Sequence, residues 1–182
     1  MRRYHRRVPE PAPNPFAELG LEPRFDLDRG EIDRAFGVRA ATLHPDLADP
    51  DRADEATRAS ARLNDARATL ADPERRAIAL LTLLGGPAAG DDRSLPDGFL
   101  MEMMDVRQRA EDECVTPEGH ARWRVWAGDR RGERMDEVRA LFSGLADPPD
   151  AAALAEIRRA LNAWRYVERM IEQLDPDHEP PM

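Results

Sequence analysis

The chain has 182 residues and a formal net charge of −9, and its 41% hydrophobic and 35% charged residues are typical of a globular protein. The chain contains 27 arginines and no lysine. The lack of lysine excludes Schiff-base catalysis by a lysine and a phosphate-binding loop that depends on lysine. The negative charge argues against a nucleic-acid partner, and no apolar run approaches the roughly 20 residues that a membrane span needs.

The N-terminal leader, residues 1–13, is expected to be disordered. It combines a run of arginines with closely spaced prolines, which remove backbone donors and disfavour helix. No apolar segment follows the arginines, so the leader is not expected to be a secretory signal. The one cysteine, Cys114, excludes an intrachain disulfide and a cysteine-rich metal site. Together these features favour a cytoplasmic location for the protein.

Two helices are predicted in the first part of the chain. Asn14 followed by Pro15 is typical of a helix start, and Gly20 ends this short helix. Asp28 is placed to cap a second helix, with a glutamate three residues later as in a capping box. This second helix ends before Pro45, because the residue before a proline is pushed out of the helical region.

Two further helices complete a compact unit over residues 14–86. An alanine-rich apolar stripe at helical spacing predicts the third helix: Ala56, Ala59, Leu63, Ala66 and Leu70. Asp72-Pro73 ends it, and a leucine-rich fourth helix follows over residues 74–84. A unit of this size is viable as a domain with its own core.

The rest of the chain predicts a second helical unit. Residues 87–97 lie in a stretch rich in glycine, proline and aspartate and are expected to form a linker. Three helical patterns with short connections follow, and they predict an antiparallel three-helix bundle over residues 98–182: 96–114, 117–146 and 149–174. Gly128 and Gly132 predict a weak point in the middle helix. The predicted fold class is all-α.

The tripeptide His44-Pro45-Asp46 lies in an acidic loop between the second and third predicted helices. The simplest explanation is a loop in which the proline stops the helix and Asp46 forms a local turn. A functional loop is the alternative, because an amphipathic helix precedes the tripeptide and a small-residue helix follows it. The tripeptide alone does not decide between the two.

Surplus hydrophobicity marks the helix that begins near Phe99. A bundle core needs one apolar stripe, which is supplied at spacings of four, three and four by Phe99, Met103, Val106 and Ala110. Three apolar residues are then left on a neighbouring face: Leu100, Met101 and Met104. Surplus methionine on an exposed face is typical of an adaptable protein-binding surface. The alternative is that a contact with the first helical unit covers this face.

With these features in this order, the chain resembles the HscB-type J-domain co-chaperones of iron–sulfur cluster assembly. The resemblance covers nearly everything from residue 14 to residue 174. Four segments carry it: "FAELGLEPRFDLD", "LHPD", "SARLNDARATLADPERRAIALLTLLG" and "FLMEMMDVRQRAEDE". The tripeptide is common to all J-domains, whereas its combination with the other segments is similar to HscB proteins.

The resemblance implies a helical J-domain over residues 14–86 and a scaffold-binding bundle over residues 98–182. In the family, the J-domain docks on a DnaK-type chaperone of the HscA kind and triggers its ATP hydrolysis. The bundle holds the IscU-type scaffold protein on which the cluster is assembled. The implied role is that of an adaptor and not of an enzyme, with no cofactor and no metal of its own.

The resemblance also implies which residues act. By matching position, His44, Pro45 and Asp46 would trigger ATP hydrolysis, while Arg34 and Arg39 would meet the chaperone from the preceding helix. The implied scaffold-binding residues are Leu100, Met101, Met104, Asp105, Arg107, Gln108, Asp112 and Tyr166. Their residue types describe an apolar centre with a polar, mostly acidic rim, as in many protein interfaces.

The sequence departs from the family pattern in the chaperone-facing region. The helix before the tripeptide is usually strongly basic in J-domains, and here its basic residues are Arg29, Arg34 and Arg39. Leu47 follows the aspartate where a basic residue is common. We therefore expect weaker electrostatic steering toward the chaperone. Gln108 replaces an acidic residue and softens the rim.

Two other functions stay open at this point. One is a J-domain co-chaperone with a different client, which keeps the chaperone contact and loses the scaffold. The other is an enzyme or metal protein that uses His44 and Asp46. The four histidines have no metal-ligand spacing, and a histidine beside an aspartate is not an active site without a nucleophile or a pocket.

Overall fold

The structure, a computed structural model, describes residues 14–42 and 53–174, and none of these residues is in a β-strand. The helices in this part of the chain are α1 (Pro15–Leu19), α2 (Arg29–Thr42), α3 (Ala53–Ala71), α4 (Pro73–Leu83), α5 (Phe99–Glu113), α6 (Pro117–Ser143) and α7 (Ala151–Leu174). The predicted all-α fold class is confirmed. The predicted leader, residues 1–13, and the tripeptide His44-Pro45-Asp46 lie outside the described residues.

The first two helices begin where their capping residues predict. The side chain of Asn14 accepts hydrogen bonds from two backbone N–H groups of the first turn, at 3.1 and 3.2 Å. Gly20 ends α1 with a φ of 70°, a conformation that favours glycine. Asp28 caps α2 by accepting a hydrogen bond from the backbone N–H of Glu31 at 2.9 Å. The Glu31 carboxylate pairs with Arg24. Of the predicted capping box, the cap by Asp28 is therefore present, whereas the Glu31 side chain is engaged elsewhere.

Helix boundaries in the second half differ by a few residues from their predictions. Helix α5 begins at Phe99 and not at residue 96. Gly98, which directly precedes the helix, closes a turn with a φ of 75°, so the helix cannot begin earlier. Helix α6 ends at Ser143, three residues early. Helix α7 begins at Ala151 because the Asp150 carboxylate accepts a hydrogen bond from a first-turn backbone N–H at 2.7 Å.

The expected weak point in α6 is wrong, because the helix runs unbroken through Gly128 and Gly132. Buried residues on either side of the glycines, Trp123 and Val138, hold the two halves of the helix in the core. An ion pair of 2.7 Å between Arg131 and Glu168 joins the glycine-containing segment to α7. Tertiary packing thus outweighs the low helix propensity of glycine.

The larger core lies among the first four helices and continues into the second half of the chain. Its fully buried side chains include Phe16, Ile32, Leu70 and Leu81. The same cluster contains Val138 of α6 and five residues of α7, four of them from its first half: Leu154, Ile157, Ala160, Leu161 and Trp164. A division into 14–86, 87–97 and 98–182 stays a prediction.

The smaller core lies among α5, α6 and α7. It consists of the predicted stripe of α5 packed against Trp123 and Ala127 of α6 and against the second half of α7: Ala163, Val167, Met170 and Ile171. Every member of the predicted α5 stripe is buried. None of the described helices combines the length and the apolar character that crossing a membrane requires.

Several contacts join the two halves of the chain. Phe25 stacks on Phe142 with ring centroids 5.7 Å apart, and Asp26 pairs with Arg139 at 2.8 Å. The segment between α4 and α5 is bound to α7, because Arg158 donates to the Pro87 carbonyl at 2.7 Å. Asn162 donates to two further carbonyls of that segment at 3.0 Å. The burial of Arg158 lowers the pKa of its guanidinium.

We predict opposite effects on stability for alanine at two glycines of α6. A Cβ at Gly119 would overlap the backbone carbonyl of Glu113, whereas a Cβ at Gly128 would meet no atom within 4 Å. Gly119→Ala is therefore expected to lower the free energy of unfolding by at least ~2 kcal/mol. Gly128→Ala is expected to raise it by up to ~1 kcal/mol, because alanine favours helix. Urea denaturation of both variants measures the two shifts, and shifts of the same sign would contradict the packing described for Gly119.

Candidate functional site

Three large apolar side chains lie exposed side by side on α5. Leu100, Met101 and Met104 keep 51%, 71% and 68% of their surface accessible. They occupy one helical turn, so their side chains form a continuous patch. An alternative prediction was that contact with the first helical unit would cover this face, and the exposure of all three residues contradicts it. Contiguous exposed apolar surface of this kind marks interaction sites.

The patch is exposed because the rest of the bundle contacts only the opposite side of α5. That side carries Phe99, Met103, Val106 and Ala110, which are all buried between α6 and α7. The two faces of α5 are thus both apolar, but only one has partners within the chain. The exposed face contributes no hydrophobic stabilisation to the fold, because that stabilisation comes from burial.

The polar residues predicted around the patch are all exposed: Asp105, Arg107, Gln108 and Asp112. Arg107 pairs with Glu111 along the helix at 3.1 Å. Glu111 therefore belongs to this surface although the predicted set omits it, and its position four residues after Arg107 was the signal that could have identified it. Asp112 lies twelve residues beyond Leu100, about 18 Å along the helix, so the predicted face is an elongated strip.

Tyr166 of α7 lies beside the first turn of α5. Its ring meets the ring of Phe99 edge to face, with centroids 5.5 Å apart and an interplanar angle of 83°. Tyr166 is half-buried, and the neighbour of Phe99 in the chain is Leu100. The structure thus brings Tyr166 to the Leu100 end of the strip and not to the Asp112 end.

Ion pairs with α6 support both ends of α5. Near its start, Glu102 pairs with Arg130, whose guanidinium also lies over the Trp126 ring at 5.7 Å. At its end, Glu113 pairs with Arg122 at 3.2 Å. These pairs hold the helix on the side away from Leu100 and Met104. They join residues 28 and 9 positions apart, and no spacing within one helix indicated them.

The predicted chaperone-docking arginines lie on α2, and both are exposed. The Arg39 guanidinium lies against Gly20, where its Nη2 atom would come within 2.6 Å of a Cβ at that position. Helix α2 is described up to Thr42, and the tripeptide follows it in the chain outside the described residues. The structure therefore gives the helix that leads to the tripeptide and not the tripeptide itself.

One ionisable group on α2 has a perturbed environment. Asp33 accepts a hydrogen bond from Arg67 of α3 at 2.8 Å and pairs with Arg29 at 3.3 Å. The hydrogen bond from Arg67, helped by the charges of both arginines, lowers the pKa of the Asp33 carboxyl. Asp33 is thus held as a carboxylate by the protein's own cations. Its charge is compensated within the molecule.

The part of the chain that the structure describes shows no metal-binding cluster. Over residues 14–42 and 53–174, no group of three histidine, cysteine or acidic side chains is arranged to hold a metal ion. Cys114 is half-buried and packs against the smaller core. The most prominent functional feature in this part of the chain is the patch on α5.

Comparisons with known proteins bear on this surface and on the whole fold. No protein-family model matches the chain. The mitochondrial J-type co-chaperone jac1 of Schizosaccharomyces pombe is 29% identical over 151 residues, which are 82% of this chain and only 65% of that protein. An HscB homologue of Bordetella petrii is 29% identical over 163 residues, or 87% of this chain and 92% of that protein.

Solved structures agree with the sequence comparisons. Human HscB matches with a TM-score of 0.74 at 21% identity, over 92% of this chain and 83% of that one. HscB from Vibrio cholerae matches with a TM-score of 0.63 at 26% identity, over 88% of this chain and 99% of that one. The comparisons therefore confirm, in sequence and in fold, that the chain resembles the HscB-type J-domain co-chaperones.

Proposed function

We propose that this protein is an adaptor co-chaperone in iron–sulfur cluster biogenesis. Its N-terminal unit stimulates ATP hydrolysis by a DnaK/HscA-type chaperone, and its C-terminal bundle binds an IscU-type scaffold protein and delivers it to that chaperone. The relatives carry the names HscB and J-type co-chaperone, which supports this role. The protein acts by binding, and its bacterial relatives favour the cytoplasm as its compartment.

The observation that carries the proposal is the apolar patch of α5 in a chain that also contains His-Pro-Asp. Leu100, Met101 and Met104 are exposed on a helix whose other face is fully used by the core. A fold needs no second apolar face, so the patch is available for a protein partner. The tripeptide is encoded directly after α2, in the other half of the molecule. Two separate contacts in one chain are what an adaptor requires.

The junction between the two halves supports the same function. Arg158 and Asn162 of α7 bind three carbonyls of the connecting segment, and Phe25 stacks on Phe142. These contacts fix the C-terminal bundle on the helices of the N-terminal unit. An adaptor with a fixed geometry raises the effective concentration of one partner at the other.

Steady-state ATP hydrolysis by the cognate chaperone tests the proposal directly. The assay compares this protein alone, the scaffold alone and both together. We expect the two together to stimulate more than the sum of their separate effects. Stimulation without any effect of the scaffold would instead support a J-domain co-chaperone with a different client. An absence of all stimulation would refute the chaperone role.

We predict that His44→Gln abolishes stimulation of the chaperone. The proposed role of His44 lies in the contact with the ATPase, and the tripeptide falls between α2 and α3, so the helical content is expected to stay as in the wild type. ATP hydrolysis measures the loss, and far-UV circular dichroism checks the fold. Asn64→Gln, on the exposed side of α3, is the matched control and is expected to stimulate normally.

We predict that replacing Leu100, Met101 and Met104 together by alanine weakens scaffold binding about 100-fold. Binding energy in protein interfaces concentrates in a few apolar anchors, and these three are the largest in the patch. Alanine has high helix propensity, so α5 is expected to remain helical. Isothermal titration calorimetry with the scaffold measures the affinity, and thermal unfolding measures the stability.

A buried residue of the same helix provides the control. Met103→Ala removes core packing and is expected to lower the free energy of unfolding by about 2–5 kcal/mol. The triple variant, in contrast, is expected to unfold at nearly the wild-type temperature. If the triple variant lost as much stability as Met103→Ala, the patch would be part of the core and not a binding surface.

A further inference from the structure

A cleft lies between the second half of α5 and the first half of α6. Its volume is about 160 Å³, which is roughly the size of a cavity that binds one benzene ring. Ala110 lines it from α5, and Trp123 and Trp126 line it from α6. The two tryptophan rings stack with their centroids 4.3 Å apart. This α5–α6 cleft therefore fits the side chains of an extended peptide and not a large ligand.

One buried polar group in the wall of the α5–α6 cleft has no partner. The Trp123 side chain is only 8% exposed, and its indole N–H finds no hydrogen-bond acceptor among the described residues. Buried donors in native proteins are nearly always paired, because an unpaired donor costs stability. The indole N–H of Trp164, in contrast, donates to Glu168 at 3.1 Å. The Trp123 N–H is therefore available to an acceptor that enters the cleft.

Positive charge is in excess at the α5–α6 cleft. The charged residues that line it are Arg109, Glu113 and Arg122. Arg122 is paired with Glu113 at 3.2 Å, whereas Arg109 has no ion pair within the described part of the chain. The Nε atom of Arg109 donates only to the backbone carbonyl of Asp105, at 3.3 Å. A segment that carries carboxylates therefore complements the charge of the cleft.

The α5–α6 cleft lies level with the end of α7. Helices α6 and α7 are antiparallel, because the start of α6 shares the smaller core with the end of α7. Arg131 of α6 pairs with Glu168 of α7 at 2.7 Å. Both helices rise about 1.5 Å per residue, so Trp126, which precedes Arg131, is level with about residue 173. Helix α7 ends at Leu174, and the chain that follows it therefore begins beside the cleft.

We propose that residues 175–182 of this chain dock in the α5–α6 cleft. This inference does not rest on the proposed function. Prolines and carboxylates make up most of the segment: Asp175, Pro176, Asp177, Glu179, Pro180 and Pro181. Proline-rich segments bind grooves lined by aromatic side chains, and their backbone carbonyls are acceptors for the Trp123 N–H. The carboxylates of the segment meet the charge of Arg109.

Reach and charge both select this segment as the occupant. Eight extended residues span up to about 28 Å, whereas neighbouring helix axes lie about 10 Å apart. The N-terminal leader, residues 1–13, is also rich in proline, but its arginines are repelled by the positive cleft. The docked segment covers the smaller core at the end where α7 stops.

The indole N–H signals in two-dimensional ¹H–¹⁵N NMR spectra test the proposal directly. The chain has three tryptophans, so each signal is assigned by a single replacement with phenylalanine. The full-length protein is compared with a variant that ends at Leu174. A full-length variant with Pro180→Ser and Pro181→Ser leaves the residues next to α7 unchanged. Its matched control carries Pro11→Ser and Pro13→Ser in the leader.

We expect the truncation and the Pro180/Pro181 variant to move the signals of Trp123 and Trp126. The Trp164 signal is expected to stay in place, because its N–H is bound to Glu168. The leader variant is expected to leave all three signals unchanged.

An acetylated and amidated peptide of residues 175–182 is then added to the truncated protein. We expect it to return the Trp123 and Trp126 signals toward their full-length positions with a Kd below about 1 mM, the effective concentration that a short tether provides. Arg109→Gln is expected to weaken this binding about threefold, as the loss of an exposed ion pair does. Arg58→Gln, on the exposed side of α3, is the matched control and is expected to leave it unchanged.

Three results would overturn the proposal. The first is a Trp123 signal that is identical in the full-length and truncated proteins. The second is a peptide that leaves the signals of the truncated protein unmoved. The third is a full-length spectrum that changes with protein concentration, because the segment of a second copy would then occupy the cleft. If the truncation also moves the Trp164 signal, the Pro180/Pro181 variant decides the outcome.

Discussion

Helix α7 contributes to both cores along its length, and the arrangement of the molecule depends on that sharing. Leu154, Ile157 and Leu161 from its first half are buried in the larger core, whereas Val167 and Ile171 from its second half are buried in the smaller one. Fully burying a side chain of this size contributes about 1.5–3 kcal/mol relative to leaving it exposed. Neither core is complete without α7, so the two halves of the chain cannot separate without exposing apolar surface. The polar contacts of Arg158 and Asn162 with the connecting segment strengthen the same junction.

The exposed patch of α5 is a consequence of this packing. With α6 and α7 side by side, α5 can bury only one stripe, and Met103 lies at its fully buried centre. Burial of this stripe sets which side of α5 faces inward, and the ion pairs of Glu102 and Glu113 with α6 lie beside it. Leu100 and Met104 remain exposed, and only contact with another molecule can bury them. The surface that the proposed function needs is thus built by the same contacts that stabilise the bundle.

Local features of the sequence predicted much of this structure. Contacts between residues far apart in the sequence were not predicted. Asn14 and Asp28 indicated helix starts because a cap depends on the next three residues alone. The buried stripe of α5 was equally predictable, because its period is a property of one helix. Whether the patch beside it would be covered was left open, since only the packing of separate elements decides that. For the same reason, the glycine Gly128 predicted a weak point in a helix that is continuous. The pair formed by Arg130 and Glu102 joins residues 28 apart, and no sequence spacing indicates such a contact.

Charge compensation explains how a chain with a net charge of −9 can present apolar surfaces to other proteins. Burying an unpaired charge at an interface is costly, whereas a pair that is already formed brings less net charge into the contact. Beside the α5 patch, Arg107 is paired with Glu111. One charge of each sign beside the patch is thus already paired within the chain before any partner arrives. Recognition then depends on shape and apolar contact, and the excess negative charge acts against unintended association at other parts of the surface.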